Sequence, residues 1–196
     1  GEKRTYFLGK ELDGVMNYPF RKAIIGAILK KDGLAFKNSV YEIMENYPKE
    51  SLDCCMGLVV THDTVRILNV LAETPELQTK KEKLDYRLSK EEYEMGVRRV
   101  KLASAMQFFL PGVPTVYYGD EIGMDGYEDP VNRRPYAWDK PNLELLEHYK
   151  MLGRLHKEFG REDTVVNALK GIIEITRGQY SLTIDLNEET FKIVKK

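Results

Sequence analysis

Hydrophobic and polar residues are grouped along this chain in blocks that predict buried strands separated by helices. Residues 54–60 form a continuous apolar run that ends abruptly at the polar residues 61–64. A strand buried on both faces, as in a parallel sheet covered by helices, is typically apolar throughout. Residues 115–118 form a second run of this kind, and residues 12–17 form a short run ahead of a helical pattern. Three strands of one parallel sheet are therefore predicted.

The spacing of apolar residues also predicts the helices between and after these strands. Helices are expected after Asn17, over residues 34–46, from Ser89 to about Phe109, and over residues 143–158. The third begins with a capping box, because Ser89 is followed by an acidic residue three positions later. The polar residues 73–83 are predicted to form an exposed excursion.

After residue 171 the pattern changes to short β runs with no helix between them. Strands are predicted over residues 172–175, 180–186 and 191–194, with a hairpin turn at residues 177–179. This tail is an antiparallel appendage, whereas the strands and helices before it form parallel βα units. Three such units are incomplete, because three strands cannot close a barrel and each buried strand needs neighbours on both sides.

Composition and charge exclude several classes of protein. The 196 residues include 30 Lys and Arg against 31 Asp and Glu, so the chain lacks the basic surface that nucleic-acid binding needs. No apolar stretch approaches the roughly 20 residues that span a bilayer, and no apolar run follows the basic N-terminus as it would in a signal peptide. We therefore expect no nucleic-acid or membrane partner, and a cytoplasmic location.

The cysteine and histidine residues do not indicate a metal or redox site. Cys54 and Cys55 are adjacent, and neighbours in an extended segment point to opposite faces, so they are poor partners for a disulfide. With no second pair of cysteines, the sequence has neither a disulfide framework nor a zinc pattern. Both are expected to be small buried side chains. His148 and His156 are expected to be ordinary surface or boundary residues of the last helix.

Polar and aromatic residues follow the predicted strands at the end where ligands bind in parallel βα architectures. Asn17 ends the run of residues 12–17 and Tyr18 follows it, and His62 and Asp63 come just after the run of residues 54–60. A carboxylate beside a histidine can hold the vicinal hydroxyls of a sugar and favour a developing positive charge. The alternative is a turn aspartate next to a hydrogen-bonded histidine, and spacing alone does not decide between the two.

The long loop of residues 126–138 is rich in side chains that suit sugars. Its aromatic residues can stack on the apolar face of a glucose ring, and its Asp and Arg residues can form charge-assisted hydrogen bonds with hydroxyls. A rigid, internally hydrogen-bonded loop held by two prolines is the alternative. From the residues alone, the chain carries a polar site on an α/β scaffold.

Three segments in this order resemble glycoside hydrolase family 13, the α-amylase family, and in particular its neopullulanase, cyclomaltodextrinase and amylopullulanase branch. Residues 12–20 resemble the sixth barrel strand, residues 61–66 the signature region that ends the seventh, and residues 111–125 with 129–135 the eighth strand and its loop. The resemblance implies an α/β fold. This would be a partial (β/α)8 barrel (strands six to eight with their helices) over residues 1–160, with a truncated C-terminal antiparallel β domain over residues 161–196.

The resemblance also implies roles for individual residues. In the family, hydrolysis is retaining and uses an Asp nucleophile, a Glu acid/base and a third carboxylate that binds and distorts the sugar. By motif, Asp63 is that third carboxylate and stabilises the transition state, and His62 contacts the same glucose. Asp129 and Arg133 match residues that hold the next glucose. Substrate binding is also expected of Tyr18, with Asn17 and Arg66 in supporting roles.

The sequence departs from the family pattern in what it lacks. The nucleophile and acid/base motifs are absent, residues 1–8 resemble the connection into the sixth strand, and early strands of the C-terminal domain are expected to be missing between residues 159 and 166. The resemblance therefore implies a piece of an α-glucan hydrolase that is inactive as this chain alone, with an α-glucan oligosaccharide as its ligand. The alternatives are a non-catalytic carbohydrate-binding or interaction remnant, and an α/β fold without a sugar site.

Cofactors and protein partners follow from the same considerations. No cofactor is implied, because the calcium that some family members bind cannot be assigned to an oxygen-ligand cluster in this sequence. Three parallel strands leave an open edge at each side of the sheet. Self-association, or pairing with a missing N-terminal half, is therefore expected.

Overall fold

The computed structural model describes residues 12–160 and 162–196, so the predicted connection over residues 1–8 lies outside the described residues. The helices are α1 (Tyr18–Lys30), α2 (Gly33–Asn46), α3 (Lys49–Asp53), α4 (Ile67–Leu71), α5 (Lys80–Asp85), α6 (Lys90–Phe109) and α7 (Leu143–Glu158). The strands are β1 (Met56–Leu58), β2 (Val113–Thr115), β3 (Thr164–Leu169), β4 (Ile172–Arg177), β5 (Tyr180–Asp185) and β6 (Thr190–Lys195). Asp120–Ile122 and Val131–Arg133 form 3-10 turns.

The predicted parallel arrangement of three strands is confirmed. β1 pairs with β2 in parallel, with Met56 opposite Val113, and Met16 forms a parallel bridge with Met56 on the other side. The ladder is shorter than the apolar runs, and β2 begins two residues before the predicted run of residues 115–118 and overlaps it only at Thr115.

Local hydrogen bonds set the helix boundaries. The Asn17 carboxamide accepts from the Phe20 amide at 3.0 Å and caps α1, which ends at Lys30 and is followed by Lys31 in the left-handed region with φ 53°. The predicted capping box of α6 is confirmed, because Ser89 and Glu92 bond each other's backbone amides. A side-chain oxygen at the N-cap satisfies an amide that the helix itself leaves free, and this determines where α1 and α6 start.

The tail forms a four-stranded antiparallel sheet in the order β3-β4-β5-β6. The predicted turn is confirmed: Arg177 pairs with Tyr180 across the two-residue turn at Gly178, whose φ is 55°. The prediction of three strands was wrong, because β3 adds a fourth. Burial alternates along β3, with Thr164 and Val166 buried, but the exposed Val165 and Leu169 are apolar, so the sequence of this segment shows no alternation of apolar and polar residues.

One hydrophobic core joins the parallel units to this sheet. The sheet packs on α2 and α6, and its fully buried side chains belong to the same cluster as those of α1, α4 and α6. Arg177 donates from Nη1 to the Leu110 carbonyl at 2.7 Å, and its guanidinium lies 5.6 Å from the Phe159 ring. Because the charged head is bonded to a helix end, the sheet is held in one orientation on α6.

A further expectation from the sequence, that both cysteines are buried, is corrected. Cys54 is exposed and Cys55 is buried, because Cys54 lies in a turn with φ −91° and ψ −8° at the end of α3 and not in an extended strand. The excursion over residues 73–83 contains the start of α5, which a capping box of Thr79 and Glu82 begins. Both cysteines are free thiols.

Within the two described ranges, no helix is long and apolar enough to span a membrane.

His148 is buried, although a surface or boundary position was expected. Its Nε2 lies 2.9 Å from Ser104 Oγ, and the Ser104 hydroxyl donates to the Val100 carbonyl at 2.8 Å, so the imidazole is the donor to the hydroxyl. The Phe191 ring of β6 covers it at 5.4 Å between centroids. His156 is half-buried, with Nδ1 3.2 Å from the Phe108 carbonyl.

The burial of His148 makes part of the stability dependent on pH. Burial lowers the pKa of His148 to about 4, and Lys101 of α6 lowers it further against a raising effect of Glu144. The neutral ring is therefore favoured by folding, and this stabilisation, complete above about pH 6.5, is lost as the pH falls from 6.5 towards 4. We expect the unfolding free energy of the wild-type chain, relative to His148→Gln, to fall by about 3 kcal/mol between pH 7 and pH 4.

Denaturant unfolding of both chains at several pH values measures this difference, and taking the difference cancels the titration of groups common to both. His156→Gln is a matched control on the same helix, where the half-buried ring should give a smaller change. A constant difference between wild type and His148→Gln across this pH range would contradict the prediction.

Candidate functional site

The carboxyl ends of the parallel strands meet at one edge of the sheet. Tyr18 comes two residues after the strand residue Met16, and Thr61 comes three residues after the end of β1. The Tyr18 hydroxyl lies 3.4 Å from Thr61 Oγ1. Tyr18 is partly exposed and Thr61 is buried. The residues that the sequence placed after the first and second strands are therefore neighbours in the fold, as expected for parallel strands.

His62 and Asp63 lie on a turn that two threonine hydroxyls hold. The Thr61 amide donates to Thr64 Oγ1 at 3.0 Å, and the Asp63 amide donates to Thr61 Oγ1 at 3.2 Å. The Asp63 side chain is 63% exposed, with Oδ1 3.2 Å from His62 Nε2. Because the hydroxyls satisfy the backbone of the turn, the Asp63 carboxylate is directed to side chains and solvent. A sugar-binding carboxylate and a turn aspartate beside a hydrogen-bonded histidine both place Asp63 on this turn and next to His62.

The long loop brings a second carboxylate and an arginine to the same place. Arg133 Nε lies 3.1 Å from Asp129 Oδ1, and its Nη2 lies 3.7 Å from Asp63 Oδ1. Arg133 thus stands between the two carboxylates, and all three side chains are exposed by more than two fifths. Groups of this kind can form charge-assisted hydrogen bonds with hydroxyls of a bound molecule.

Asn132 connects the two segments, a role that no pattern in the sequence indicated. Its Nδ2 donates to the carbonyls of His62 and Thr64, both at 2.8 Å, and the residue is fully buried. A side-chain amide that spans 70 positions in sequence cannot be inferred from local patterns. The bonds fix the turn that carries Asp63 against the loop that carries Arg133.

Arg66 lies beneath the site and is completely buried. Its Nε donates to the Asn132 carbonyl at 2.9 Å, and Nη1 lies 3.1 Å from Asp120 Oδ1. The guanidinium also lies 4.4 Å from the Tyr117 ring centroid. Burial raises the pKa of Asp120 to about 7, against the lowering effect of Arg66. The Arg66–Asp120 pair therefore joins three segments: the turn after β1, the residues after β2 and the long loop.

Hydrogen bonds of Tyr118, Glu121 and Tyr136 also fix the loop around Asp120. Glu121 accepts from the Gly119 amide at 2.8 Å and from the Tyr136 hydroxyl at 2.9 Å. The Tyr118 hydroxyl donates to the Arg134 carbonyl at 2.9 Å. These bonds fix the end of the long loop, at Arg134 and Tyr136, to the segment after β2, and the same loop carries Asp129 and Arg133.

The remaining candidate, Asn17, lies inside the fold. It is buried, and its side chain caps α1 through the Phe20 amide. Arg21 of the same helix donates from Nε to the Val59 carbonyl at 2.8 Å, a contact that the sequence did not indicate. Together they place α1, and hence Tyr18, against the end of β1.

No group of three or more His, Cys, Asp or Glu side chains within residues 12–160 and 162–196 is arranged to hold a metal ion. The charged side chains of the candidate site are two carboxylates and one guanidinium, with a histidine beside them. This set can bind several hydroxyls at once and can stabilise a positive charge next to Asp63.

Comparison with known protein families matches residues 1–170 to the family described as alpha amylase, catalytic domain. The amylopullulanase of Thermoanaerobacter thermohydrosulfuricus is 34% identical over 163 residues, which cover 77% of this chain and 11% of that protein. The cyclomaltodextrinase of Geobacillus thermopakistaniensis is 35% identical over 155 residues, covering 77% of this chain and 23% of that protein. The chain thus spans less than a quarter of the length of these relatives.

A solved structure gives the same picture. The cyclic α-maltosyl-(1→6)-maltose hydrolase of Arthrobacter globiformis, in complex with maltose, superposes with a TM-score of 0.75 at 26% identity, covering 92% of this chain and 39% of that one. The parallel units form part of a (β/α)8 barrel, and β3 to β6 form a C-terminal β segment. The chain therefore belongs to the α-amylase family, glycoside hydrolase family 13.

Proposed function

We propose that this chain contributes the third carboxylate and part of the sugar site to a retaining α-glucan hydrolase. The substrates would be maltodextrin- or pullulan-like chains with α-1,4 or α-1,6 bonds. The proposal depends most on one observation: the exposed Asp63 carboxylate lies 3.2 Å from His62 and 3.7 Å from Arg133 at the carboxyl edge of parallel strands. The names of the relatives, amylopullulanase and cyclomaltodextrinase, support the same class of substrate.

Each side chain has a role in this proposal. Asp63 accepts hydrogen bonds from the glucose whose bond is cleaved and stabilises the positive charge that develops on that ring. His62 binds a hydroxyl of the same glucose, and Tyr18 supplies an aromatic face beside it. Asp129 and Arg133, which are 3.1 Å apart, hold the next glucose. Arg66 and Asn17 support the backbone beneath these groups.

The same proposal predicts that the chain alone does not hydrolyse glucans. The retaining reaction needs a carboxylate that attacks the sugar and an acid that protonates the leaving oxygen, about 5 Å apart across the bond. The sequence carries neither of the family's motifs for these groups. Asp63 can stabilise charge but cannot replace a covalent nucleophile.

We expect the 196-residue chain to bind maltotriose without hydrolysing it, and Asp63→Asn to weaken the binding by about tenfold. The substitution keeps the shape of the side chain but removes its charge and one acceptor. Titration calorimetry with maltotriose measures the affinity, and chromatography of the sugar after incubation measures turnover. Asp163→Asn, in a side chain that is exposed and remote in sequence from the site, is the matched control.

Three results of these measurements separate the alternatives. Binding that depends on Asp63, without turnover, supports the proposal and equally supports a carbohydrate-binding remnant. These two differ only in whether the chain becomes active when the preceding strands of the family barrel are joined to it. Binding that Asp63→Asn leaves unchanged contradicts the assigned site. No binding to the wild-type chain would favour an α/β scaffold without a sugar site.

We also propose that the open edge of the parallel sheet pairs with the preceding strands of the family barrel, or with a second copy. At the β2 edge of the sheet, the apolar side chains of Val113 and of Val116, which follows the strand, are exposed. Buried strands with free backbone groups and exposed apolar side chains favour pairing with a further strand. Sedimentation of the chain, alone and with the preceding strands, distinguishes the two partners.

A further inference from the structure

The excursion that follows β1 is packed against the loop that carries Asp129 and Arg133. The excursion of residues 73–83, continued through the end of α5 to residue 88, contacts the loop on both sides of the Asp129–Arg133 pair. We propose that Lys83 is a positioning residue for that pair and acts through Glu128. The inference rests on the proposed function, in which the pair holds a glucose unit.

On the N-terminal side, the contacts end one residue before Asp129. Lys83 Nζ donates to the carboxylate of Glu128, and the Lys83 side chain is only 20% exposed. The Tyr127 hydroxyl donates to the Pro75 carbonyl at 2.8 Å, and the Tyr86 ring meets the Tyr127 ring edge-on at 5.6 Å between centroids. The backbone that leads into Asp129 is therefore held by three groups of the excursion.

On the C-terminal side, the contacts begin one residue after Arg133. Arg134 Nη2 lies 3.2 Å from the Leu84 carbonyl, and its Nη1 lies 3.4 Å from Asp125 Oδ1. Leu84 follows Lys83 directly in α5. One turn of helix thus contacts the loop before and after the pair.

The excursion itself has a defined start that gives Lys83 a fixed base. Thr79 and Glu82 form a capping box, with the Glu82 amide 3.2 Å from Thr79 Oγ1 and the Thr79 amide 2.8 Å from Glu82 Oε2. Lys83 is the next residue, so its side chain leaves a helix whose first turn is hydrogen-bonded. A misplacement of about 1 Å in the Asp129–Arg133 pair is enough to weaken its binding of a glucose unit strongly.

Lys83→Met tests the inference, because methionine keeps the length of the side chain and removes its charge. We expect amide hydrogen exchange over residues 127–134 to become about threefold to tenfold faster, with the melting temperature unchanged within a few degrees, since a part-exposed ion pair adds little to global stability. Binding of maltotriose should weaken by about threefold to tenfold. Lys83→Arg, which keeps the charge, should restore both.

Lys81→Met is the matched control, an exposed lysine in the same helix, and should change neither quantity. Unchanged exchange over residues 127–134 in Lys83→Met overturns the inference, whether or not maltotriose binds. Faster exchange with unchanged affinity overturns the link between Lys83 and the sugar. If the wild-type chain does not bind maltotriose, the proposed function has failed, and the exchange result alone decides whether Lys83 holds the loop.

Discussion

Joining this chain to the five preceding βα units of an α-amylase-family enzyme is expected to raise maltotriose hydrolysis by on the order of 10⁴-fold or more over the chain alone. The added units supply the nucleophile and the acid/base, and these are the groups whose removal costs most in a covalent mechanism. The exposed Val113 of β2 and Val116 after it give the added strands an apolar edge on which to pack. Initial rates for the joined and separate proteins measure the effect.

The joined protein also shows whether Asp63 belongs to the reaction. Asp63→Asn in the joined protein should lower kcat/KM by about 10²-fold or more, because the carboxylate acts on the charge of the transition state. Asp163→Asn in the same protein should have no effect, since its side chain is 81% exposed and pairs with Lys49 at 3.4 Å. A joined protein that folds and binds maltotriose, yet turns over at the same rate after the Asp63→Asn substitution, would contradict the assignment.

Replacing Arg66 with methionine is expected to lower the unfolding free energy by about 3–5 kcal/mol. Arg66 is completely buried and donates to the Asn132 carbonyl at 2.9 Å and to Asp120 at 3.1 Å. Without the guanidinium, Asp120 is a buried carboxylate with no charge partner, and the carbonyls of Asn132 and Tyr118 lose their donor. Denaturant unfolding compares the variant with the wild-type chain.

The pH dependence of this variant has a defined sign. Burial already raises the pKa of Asp120 to about 7, and removal of Arg66 takes away the effect that opposes this. A carboxyl whose folded pKa is raised stabilises the folded chain fully below its unfolded pKa of about 3.8, and the contribution is lost as the pH rises. The loss from Arg66→Met should therefore be larger at pH 8 than at pH 5.

Two further variants identify the cause. Arg98→Met removes an arginine that is 56% exposed and 3.7 Å from Glu189, and it should cost less than about 1 kcal/mol. Adding Asp120→Asn to Arg66→Met should recover part of the loss and remove the extra pH dependence. A loss below about 1 kcal/mol in Arg66→Met would mean that the buried pair does not hold the three segments together.

The chain's local structure follows from the sequence because local interactions determine it. The caps at Asn17 and Ser89, the turn at Gly178 and the end of α7 at Glu158 each depend on residues a few positions apart. The placement of Tyr18 beside the turn of Asp63 also follows, since parallel strands bring their carboxyl ends to one edge. These features depend on the periodicity of helices and strands, and the spacing of apolar residues in a sequence shows that periodicity directly.

The contacts that hold the candidate site follow only from the tertiary structure. Arg66 and Asp120 are 54 positions apart, Lys83 and Glu128 are 45 apart, and Asn132 reaches His62 across 70. A charged residue in a polar segment looks the same in the sequence whether water or another side chain surrounds it. Only the folded structure shows which of these side chains are buried and which group each one contacts. His148 was misplaced for the same reason: the ring of Phe191 from β6 covers it, and helical spacing on α7 does not reveal which element will pack there.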